Sequence, residues 1–540
     1  MSVKRLLPPG FDPVFVLILL MAAFLFLFQL DHRPFWQDEA ETACLARNVL
    51  KYGVPKAFDG VNLISQEEGR EFGADYIWRW SPWLQIYLVA GVIWLGGLNT
   101  GAARLPFAMA GLTCVGLVYL LIRRRFGDRT WANLAAAWLA TSVVFILFSR
   151  ECRCYGVGAL LALLGLFAFR SHWQSRLAPA ALLVASFALL FYANYLLFFS
   201  YAASFLLAAI LLYRREMPLA RSLVLSLLIV LVAVPGLLTF RLKQQSGMVD
   251  LMMIGSNLGY FFDSLSMFMI PLPVVLGLAW HWRGILRGGF SLSENPQERF
   301  ILFLMLIILF NTAIISLVPQ TEHRYQVHLY PLCAILLGWV VCRVGRWHKF
   351  SGVLLGLLLL GTNWIYLVPM YWLGMANRPP TDDYHMLTHP NLPLRLYLGE
   401  MFSSYPDVNE SLIRFFNTHG QPGDTILTTY GDLPLQFYTP YKVVGGLQWR
   451  ELPSGDLPRW VVKRFNTRTN REGVLNKSEE LILSYPRLVR DYEAIELPYP
   501  DELFGNRADP YYHHFFPPSE PYPKLTIYRK KAESARETNF

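Results

Sequence analysis

Charged residues and cysteines are scarce in this chain, and several sequence signatures of soluble enzymes are missing. Charged residues make up 16% of the 540 positions, whereas 54% are hydrophobic and 15% aromatic. The sequence shows no internal repeat, no low-complexity tract and no glycine-rich loop of the kind that binds nucleotide phosphates. A soluble core of this size does not need so much apolar surface, so the composition indicates a polytopic α-helical membrane protein with a soluble appendage.

The basic residues and the cysteines argue against two further classes of protein. The formal net charge is +9, which could indicate a nucleic-acid partner. The Lys and Arg residues lie in short clusters between apolar runs, however, as in cytoplasmic loops that follow the positive-inside rule, so we predict no nucleic-acid binding. Three of the six cysteines lie within apolar runs, and Cys152 and Cys154 are poorly spaced for a disulfide between them. We interpret all six as thiols and predict no metal framework.

Hydropathy predicts about eleven membrane spans, within a range of about ten to thirteen. The predicted spans are 13–30, 105–122, 131–148, 155–169, 178–193, 196–213, 221–239, 263–281, 300–318, 326–342 and 352–374. The first run follows Lys4 and Arg5 but lacks a small-residue cleavage site before Asp31, so we expect it to remain as a helix. The segment Pro82–Gly97 is short and contains Gln85. We interpret it as an interfacial or re-entrant helix, because this choice places every basic loop in the cytoplasm.

This topology divides the chain into two domains. Residues 1–375 form the predicted transmembrane module, with residues 31–104 as a first outer loop that carries interfacial helices. Residues 376–540 are polar and rich in Pro and Tyr, and they predict a small extracytoplasmic α/β domain. The strands predicted in this domain are 424–430, 441–444, 460–463 and 524–529.

Asp38 and Glu39 lie eight residues beyond the first apolar run, in the first outer loop. A pair of carboxylates held just above a bilayer is suited to accept a proton from a substrate hydroxyl that reacts with a lipid-carried group. The same residues have a structural interpretation, because Asp38 followed three residues later by Glu41 is a helix-start signal and Gly53 is a natural helix stop. The two interpretations are compatible, and we predict Asp38 and Glu39 as catalytic residues.

The second outer loop carries two cations, Arg150 and Arg153, three residues apart. On a continuous helix they would share a face and could bind one phosphate, together with the neighbouring Tyr155. The alternative is that both arginines extend to lipid headgroups, as arginines at helix ends commonly do. Positive charge on the outer side runs against the usual bias, which favours a ligand. Glu151 between them is either an ion-pair partner or a second functional acid.

Further cations on the predicted outer side are Arg79, Lys243 and Arg324. Arg324 and Tyr325 begin a span, where a cation gains nothing from the helix dipole, so an anionic ligand is a reasonable partner. A structural pair between Glu322 and Arg324 is the alternative. Arg79 lies in an aromatic belt that could serve only as a membrane-interface anchor, and nothing about Lys243 is specific. We predict Arg79, Lys243, Arg324 and Tyr325 as binding residues for a phosphate.

Several of these motifs occur together in the order found in one enzyme family. They are Trp36-Gln37-Asp38-Glu39-Ala40, Arg104-Leu105-Pro106, Arg124-Arg125-Phe126-Gly127, Ser149-Arg150-Glu151 to Tyr155-Gly156, and Arg324-Tyr325 six residues before Pro331. Over residues 10–375 the chain resembles the bacterial relatives of protein O-mannosyltransferases and lipid A aminoarabinose transferases, which are GT-C glycosyltransferases of the family 39 and family 83 type. The resemblance implies that residues 1–375 are a GT-C catalytic module.

The resemblance also implies an activity. Such an enzyme takes a sugar from a polyprenyl-phosphate carrier and transfers it with inversion to a lipid, polysaccharide or protein acceptor. The reaction would take place at the outer face of the bacterial inner (plasma) membrane, with the active site and C-terminal domain extracytoplasmic. Asp38 matches the presumed base of the family and Glu39 stands beside it, whereas related enzymes often carry an Asp in the second loop where this chain has Arg150 and Glu151. The alternative function is a transporter or flippase of a lipid-linked saccharide.

The sequence assigns no cofactor with certainty. The lipid A branch shows a Glu-Lys pair where this chain has Trp78-Arg79, so the metal of that branch is not carried over and a divalent metal is left open. His323 and His328 are better explained as hydrogen-bonded residues than as metal ligands, so we predict no metal-binding residues.

Overall fold

The structure is a computed structural model, and it describes residues 12–169, 176–245, 247, 250–283, 295–375, 386–403, 407–445, 448, 457–464, 485–502, 506–517 and 522–531. Helices occupy most of the described chain up to residue 375, and the strands come after it. This order agrees with the expected helical module followed by a small α/β region.

The helices of the first part are long and mostly apolar. They are α1 Pro13–Leu27, α2 Gln37–Tyr52, α3 Leu84–Gly96, α4 Thr100–Phe126, α5 Arg129–Thr141, α6 Val143–Arg150, α7 Tyr155–Phe169, α8 Leu177–Ala193, α9 Tyr195–Tyr213, α10 Leu219–Thr239, α11 Leu242–Gln245, α12 Leu251–Phe268, α13 Leu272–His281, α14 Pro296–Ile315, a 3₁₀ helix His323–Leu329, α15 Tyr330–Trp347, α16 Lys349–Gly361 and α17 Trp364–Trp372.

Within the described residues, five helices are long and apolar enough to cross a membrane, and the number rises to eight if each bent helix pair counts as one span. Four shorter apolar helices, α1, α3, α7 and α8, contain between 10 and 17 residues. The chain therefore has the composition and helix lengths of an integral membrane protein. The segment Pro82–Gly97 forms α3, and the count of eleven spans stays a prediction.

Three predicted spans are each two helices joined at a sharp bend. The bends are 60° between α5 and α6, 98° between α12 and α13, and 88° between α16 and α17, where the sequence predicted single spans over 131–148, 263–281 and 352–374. Pro271 caps α13 and disfavours helical geometry in the residue before it. Asn363 donates its side-chain amide to the His389 carbonyl at 2.7 Å and accepts the Asn391 amide at 2.7 Å. Hydropathy does not detect such local interruptions.

The second part of the chain contains a five-stranded mixed sheet with the strand order β2-β1-β3-β5-β4. Its elements are α18 Pro393–Phe402, α19 Val408–His419, β1 Thr425–Thr428, α20 Asp432–Tyr438, β2 Lys442–Gly445, β3 Trp460–Val462, α21 Tyr485–Asp491, β4 Tyr492–Pro500 and β5 Lys524–Lys530. Strand β1 pairs in parallel with β2 and β3, and β5 pairs antiparallel with β3 and β4. The four predicted strands match β1, β2, β3 and β5, while β4 was not predicted.

The sheet region contacts the first predicted outer loop through buried and partly buried hydrogen bonds. The Gln37 side-chain amide donates to Asp432 at 2.7 Å, and Asn62 accepts the Val443 amide at 2.8 Å. The Phe35 amide donates to the Tyr438 hydroxyl at 3.0 Å. These contacts connect α2 and the segments on either side of it to α20 and β2, so the sheet region helps to position the helix that carries Asp38.

Candidate active site

Helix α2 presents two neighbouring carboxylates in its first turn. The helix begins at Gln37, so Trp36 is its N-cap and Asp38 is its second residue. The Glu39 side chain, and not Asp38, accepts the Trp36 amide at 3.4 Å. The expectation that Asp38 caps α2 is therefore wrong, whereas the predicted stop at Gly53 agrees with its left-handed φ of 76°. Asp38 is available for another role.

Asp38 meets Arg153 from the second predicted outer loop and Arg324 from residues 319–325, a predicted outer segment that is called the third outer loop below. Its Oδ2 accepts a hydrogen bond from Arg324 Nη1 at 2.7 Å and lies 3.9 Å from Arg153 Nη2. The side chain retains 16% exposure, whereas that of Glu39 retains 1%. Burial opposes ionisation of Asp38, but the charges of Arg153, Arg324 and Arg507 outweigh it and hold its pKa below the ordinary value. Asp38 is therefore an ionised, partly accessible carboxylate.

Glu39 is fully engaged in a buried ion pair. Arg104 donates Nε to Oε1 at 2.7 Å and Nη2 to Oε2 at 2.6 Å, which is the bidentate geometry that guanidinium and carboxylate groups favour. The Cys152 amide also donates to Oε1 at 2.8 Å. Both oxygens thus have partners, so of the two predicted catalytic acids only Asp38 is accessible to a substrate.

The second outer loop separates the two arginines that the sequence placed on one face. Helix α6 ends at Arg150, and the extended backbone of Glu151 (φ −71°, ψ 144°) turns Arg153 away from it. Arg150 donates to the carbonyls of Leu25, Phe26, Phe28 and Gln29 at 2.8–3.2 Å, where it caps the C-terminal end of α1. The expectation that Arg150 and Arg153 share a helix face is therefore wrong, because α6 ends at Arg150 and the Arg150 side chain instead binds carbonyl groups at the end of α1.

Arg153 joins the acids of α2 instead. Its Nη1 donates to Glu41 Oε1 at 3.0 Å and to Thr42 Oγ1 at 3.2 Å. Gln66 donates to the second oxygen of Glu41 at 2.6 Å. Burial and the nearby charge of Asp38 raise the pKa of Glu41 despite the ion pair with Arg153. Arg153 therefore links Asp38 to a second acid on the same helix.

Glu151 is a buried acid, and one of its oxygens has no hydrogen-bond partner among the described residues. Its Oε1 accepts the Ala508 amide at 3.0 Å, while its Oε2 is buried without a hydrogen-bond partner among the described residues. Burial, followed by the charges of Glu39 and Asp38, raises the pKa of Glu151 to about 8. The surroundings of Glu151 therefore favour its protonated form. It lines a cavity of about 80 Å³ together with Glu39, Arg104 and Arg150.

A second group of cations lies around Trp80. A Cβ atom built on Gly73 would lie 3.0 Å from Arg79 Nη1 and 3.6 Å from Arg241 Nη2, so the two guanidinium groups flank this glycine. Arg79 pairs with Asp75 at 2.6 Å, and the Arg241 amide donates to the Arg79 carbonyl at 2.9 Å. The sequence predicted Arg79 here, and the structure adds Arg241 beside it.

Tyrosine side chains lie between the cations near Asp38 and the cations near Trp80. The Tyr195 hydroxyl donates to the Trp80 carbonyl at 3.2 Å and lies within electrostatic range of Tyr325. Tyr325 is half-buried beside Arg324, with 5.7 Å between its ring centroid and the guanidinium carbon. Tyr155 is buried within range of the charges of Arg324 and Arg153. Lys243 lies in α11, and its side chain falls outside the described residues.

The donor atoms at the site do not fit a divalent cation. The three acids of α2 are each paired with a guanidinium group: Asp38 with Arg324, Glu39 with Arg104 and Glu41 with Arg153. Across the described residues, no three or more His, Cys, Asp or Glu side chains are grouped to hold a metal ion. His323 is hydrogen-bonded to Ser264 at 2.5 Å and to Tyr330 at 2.9 Å. We therefore derive no step through a metal.

Sequence reasoning did not include Arg104, Arg241 and Arg507 among the site residues. Arg104 lies at the start of a span on the predicted outer side, so the charge-bias argument applied to Arg150 and Arg153 could also have selected it. Arg507 lies in a polar C-terminal segment where no periodicity or charge bias distinguishes one arginine from another.

The fold with this site resembles solved glycosyltransferases of the GT-C class. Crystal structures of ArnT from Cupriavidus metallidurans, a lipid A aminoarabinose transferase, match with TM-scores of 0.55 in the apo state and 0.52 bound to undecaprenyl phosphate. Both are 13% identical in sequence and cover 95% of this chain and 97% of the ArnT chain. The resemblance to this class expected from the motifs is therefore confirmed at the level of fold.

More distant similarity extends to the oligosaccharyltransferase AglB from Archaeoglobus fulgidus in complex with an inhibitory peptide and a dolichol-phosphate. The TM-score is 0.43 at 12% identity, and the match covers 90% of this chain and 73% of the AglB chain. No protein-family model matches the sequence. No curated protein sequence matches it either.

Proposed function

We propose that this chain is an inverting glycosyltransferase. It would move a sugar from a polyprenyl-phosphate carrier to a lipid, polysaccharide or protein acceptor at the outer face of the bacterial inner (plasma) membrane. The observation that carries the proposal is the partly accessible Asp38 carboxylate held at 2.7 Å by Arg324, beside Arg153, in a fold that resembles ArnT. This arrangement combines a proton acceptor with cations suited to a departing phosphate.

In the proposed reaction the acceptor hydroxyl attacks the anomeric carbon from the face opposite the phosphate. The new carbon–oxygen bond forms as the bond to the phosphate oxygen breaks, and the polyprenyl phosphate leaves with the electron pair. Asp38 takes the hydroxyl proton. A carboxylate with a lowered pKa is a weak base, so the proton transfers once the hydroxyl has become acidic through bonding to the sugar. Asp38 is ionised and ready over the whole neutral range.

The proposed donor phosphate lies between the two cation groups. Arg324 and Tyr325 approach it from the third outer loop, with Arg153 and Tyr155 behind them, while Arg79 and Arg241 provide charge near Trp80. Lys243 remains a candidate from the sequence. Fixed cations stabilise the charge that develops on a leaving phosphate without reorganising during the reaction. The prenyl chain would reach this point laterally beside α3, which leaves the phosphate at the membrane interface.

We propose a supporting role for the remaining predicted residues. Glu39 holds Arg104 and the start of α2, which directs Asp38, and Arg150 secures the end of α1. Glu151 is the second acid near the site, and its raised pKa favours the protonated form. The three acids of α2 are each paired with an arginine, and in the proposed transferase arginine side chains supply the positive charge at the phosphate.

The test is transfer by the purified full-length protein. Wild-type protein is incubated with radiolabelled polyprenyl-phosphate sugars and crude envelope acceptors, and Asp38→Asn is compared with it. Loss of a general base lowers turnover by about 10²- to 10⁴-fold. Glu68→Gln is the matched control, because Glu68 lies in the same loop but pairs with the exposed Arg70. Transfer by Asp38→Asn at the wild-type rate would disprove the proposed role of this residue.

A further inference from the structure

Three consecutive residues of the C-terminal region each contact a different outer loop of the helical module. The Asn506 side-chain amide donates to the Pro34 carbonyl at 3.2 Å, and Arg507 Nη2 donates to Glu322 Oε2 at 2.5 Å. The Ala508 amide donates to Glu151 Oε1 at 3.0 Å. One short segment therefore contacts each of the loops that carry Asp38, Arg153 and Arg324.

Arg507 is the central member of this segment, and it is buried. Its guanidinium carbon lies 5.3 Å from the Trp36 ring centroid and 5.2 Å from the Tyr512 ring centroid, and Nη2 lies 3.4 Å from Asp509. Trp36 is the N-cap of α2, directly before the turn that carries Asp38. Arg507 thus contacts the beginning of the helix that presents the proposed base.

Residues of the C-terminal region also bind this segment. His513 hydrogen-bonds through Nδ1 to the Arg507 carbonyl at 2.9 Å and through Nε2 to Glu400 on α18 at 3.0 Å. Glu400 also pairs with Arg33 of the first outer loop at 3.1 Å. The backbone of Arg507 is therefore fixed to both parts of the chain. The planar guanidinium group of a buried arginine has few possible orientations, so it also restricts the position of its partner Glu322.

We propose that Arg507 is a positioning residue of the transferase, through which the C-terminal domain aligns the third outer loop with Asp38. The proposal rests on the proposed function. Glu322 is the N-cap of the 3₁₀ helix His323–Leu329, and Arg324 follows it by two residues. By holding Glu322, Arg507 fixes where the 3₁₀ helix begins and so where Arg324 meets Asp38. The C-terminal domain is then part of the active site.

The charge of Arg507 also acts on Asp38. The charged and titratable groups within electrostatic range of Asp38 include the cations Arg153, Arg324 and Arg507 and the acids Glu41 and Glu151. Removal of one of the three cations makes the carboxylate easier to protonate. A neutral residue at position 507 therefore moves the acid limb of the pH–rate profile to higher pH.

The experiment compares Arg507→Gln and Arg507→Lys with the wild-type full-length protein, with the polyprenyl-phosphate sugar that gives product in the transfer assay. For Arg507→Gln we expect kcat to fall by about 10²-fold, because misplacement of a catalytic group by about 1 Å has this effect. The KM for the donor changes much less, and the acid limb of the pH profile moves up. Arg507→Lys keeps the charge and restores the position of that limb.

Two controls separate positioning from general stability. Arg464→Gln breaks a buried pair with Asp501 at 2.6 Å inside the C-terminal domain, so it lowers the melting temperature and leaves the acid limb in place. Arg414→Gln breaks an exposed pair with Glu410 and changes neither property. Wild-type kcat and an unmoved acid limb in Arg507→Gln would overturn the proposal.

Hydrogen exchange of the protein without donor provides a readout that does not depend on activity. Arg507→Gln should speed exchange of the amides in residues 322–329, while Arg414→Gln should not. If exchange there is unchanged, alignment of the third loop by Arg507 is refuted. If exchange is faster but Asp38→Asn transfers sugar at the wild-type rate, the alignment stands and the proposed catalytic function fails.

Discussion

Two adjacent residues, Asp38 and Glu39, have different surroundings because their side chains leave the first turn of α2 in different directions. Glu39 meets Arg104, which lies 65 residues further along the chain, whereas Asp38 meets Arg324, which lies 286 residues further along. Nothing in the local sequence distinguishes the two acids. The partners that separate a structural carboxylate from an accessible one are brought in by tertiary packing.

The pair between Glu39 and Arg104 predicts a stability effect at a single residue. Arg104→Met leaves the Glu39 carboxylate, which is 1% exposed, without its cation, and should lower the free energy of unfolding by about 3–5 kcal/mol. Chemical unfolding in detergent measures this change. Arg70→Met is the control, because its pair with Glu68 is exposed and should contribute less than about 1 kcal/mol. A wild-type unfolding curve for Arg104→Met would contradict the structural role of the pair.

Glu151 predicts how stability depends on pH. Its pKa is raised to about 8 in the folded protein from about 4.3 in an unfolded chain, so the folded state binds the extra proton between these values. Stability from this group is present at low pH and is lost as the pH rises toward 8. Glu151→Gln mimics the protonated acid and keeps an acceptor for the Ala508 amide, so it should raise the melting temperature at pH 8 and have little effect at pH 5. Equal effects at both pH values would argue that Glu151 is ionised.

At the level of elements, α4 and α7 approach so closely that a glycine is required between them. A Cβ atom on Gly156 would lie 2.6 Å from the Phe107 backbone carbonyl oxygen, which cannot move independently of α4. Gly156→Ala should therefore destabilise the protein by about 1–3 kcal/mol. Gly116→Ala is the matched control, because the structure shows nothing within 4 Å of its Cβ position. Thermal unfolding of both variants tests this close approach of α4 and α7. Equal melting temperatures for the two variants would contradict it.

The elements also show where sequence reasoning succeeds and fails. Apolar runs were recovered as helices because hydropathy depends only on composition, whereas the bends at Pro271 and Asn363 depend on local geometry and tertiary hydrogen bonds. The prediction that Arg150 and Arg153 share a helix face assumed that the helix continues through both residues. This prediction failed because α6 ends at Arg150. Strand β4 was missed because its prolines and charged residues resemble a loop, although such residues are tolerated on an edge strand.

On the scale of the whole molecule, the site is built from segments far apart in the chain. The predicted topology puts Asp38, Arg153 and Arg324 on the same side of the membrane, which predicts that these residues lie close together. In the structure Arg153 and Arg324 both lie beside Asp38. The topology could not predict Arg507, because the position of a small sheet domain on a helical module is determined by surface contacts without sequence periodicity. The residues contributed by the outer loops could therefore be predicted from the sequence. Arg507 could not, because its place in the site depends on how the sheet region packs against the helices.

The same reasoning predicts the orientation of the whole chain in the membrane. Asp38 of the first outer loop contacts Arg153 and Arg324 of the second and third outer loops. The candidate site must therefore lie on the same side of the membrane as any one of these loops. A membrane-impermeant maleimide should label Glu68→Cys in the first outer loop and Glu496→Cys on β4 in intact spheroplasts. It should label Arg215→Cys, between α9 and α10, only after permeabilisation, since the basic loops are expected in the cytoplasm.

The native cysteines give this experiment a low background, because five of the six are buried and Cys342 is half-buried. The unsubstituted protein is the control for that background. If Glu68→Cys and Glu496→Cys were labelled only after permeabilisation, the site would face the cytoplasm, where a transferase that acts at the outer face could not work. If the two positions were labelled from opposite sides, the contacts between α2 and the sheet region would be refuted, because hydrogen bonds such as that between Gln37 and Asp432 cannot form across a bilayer.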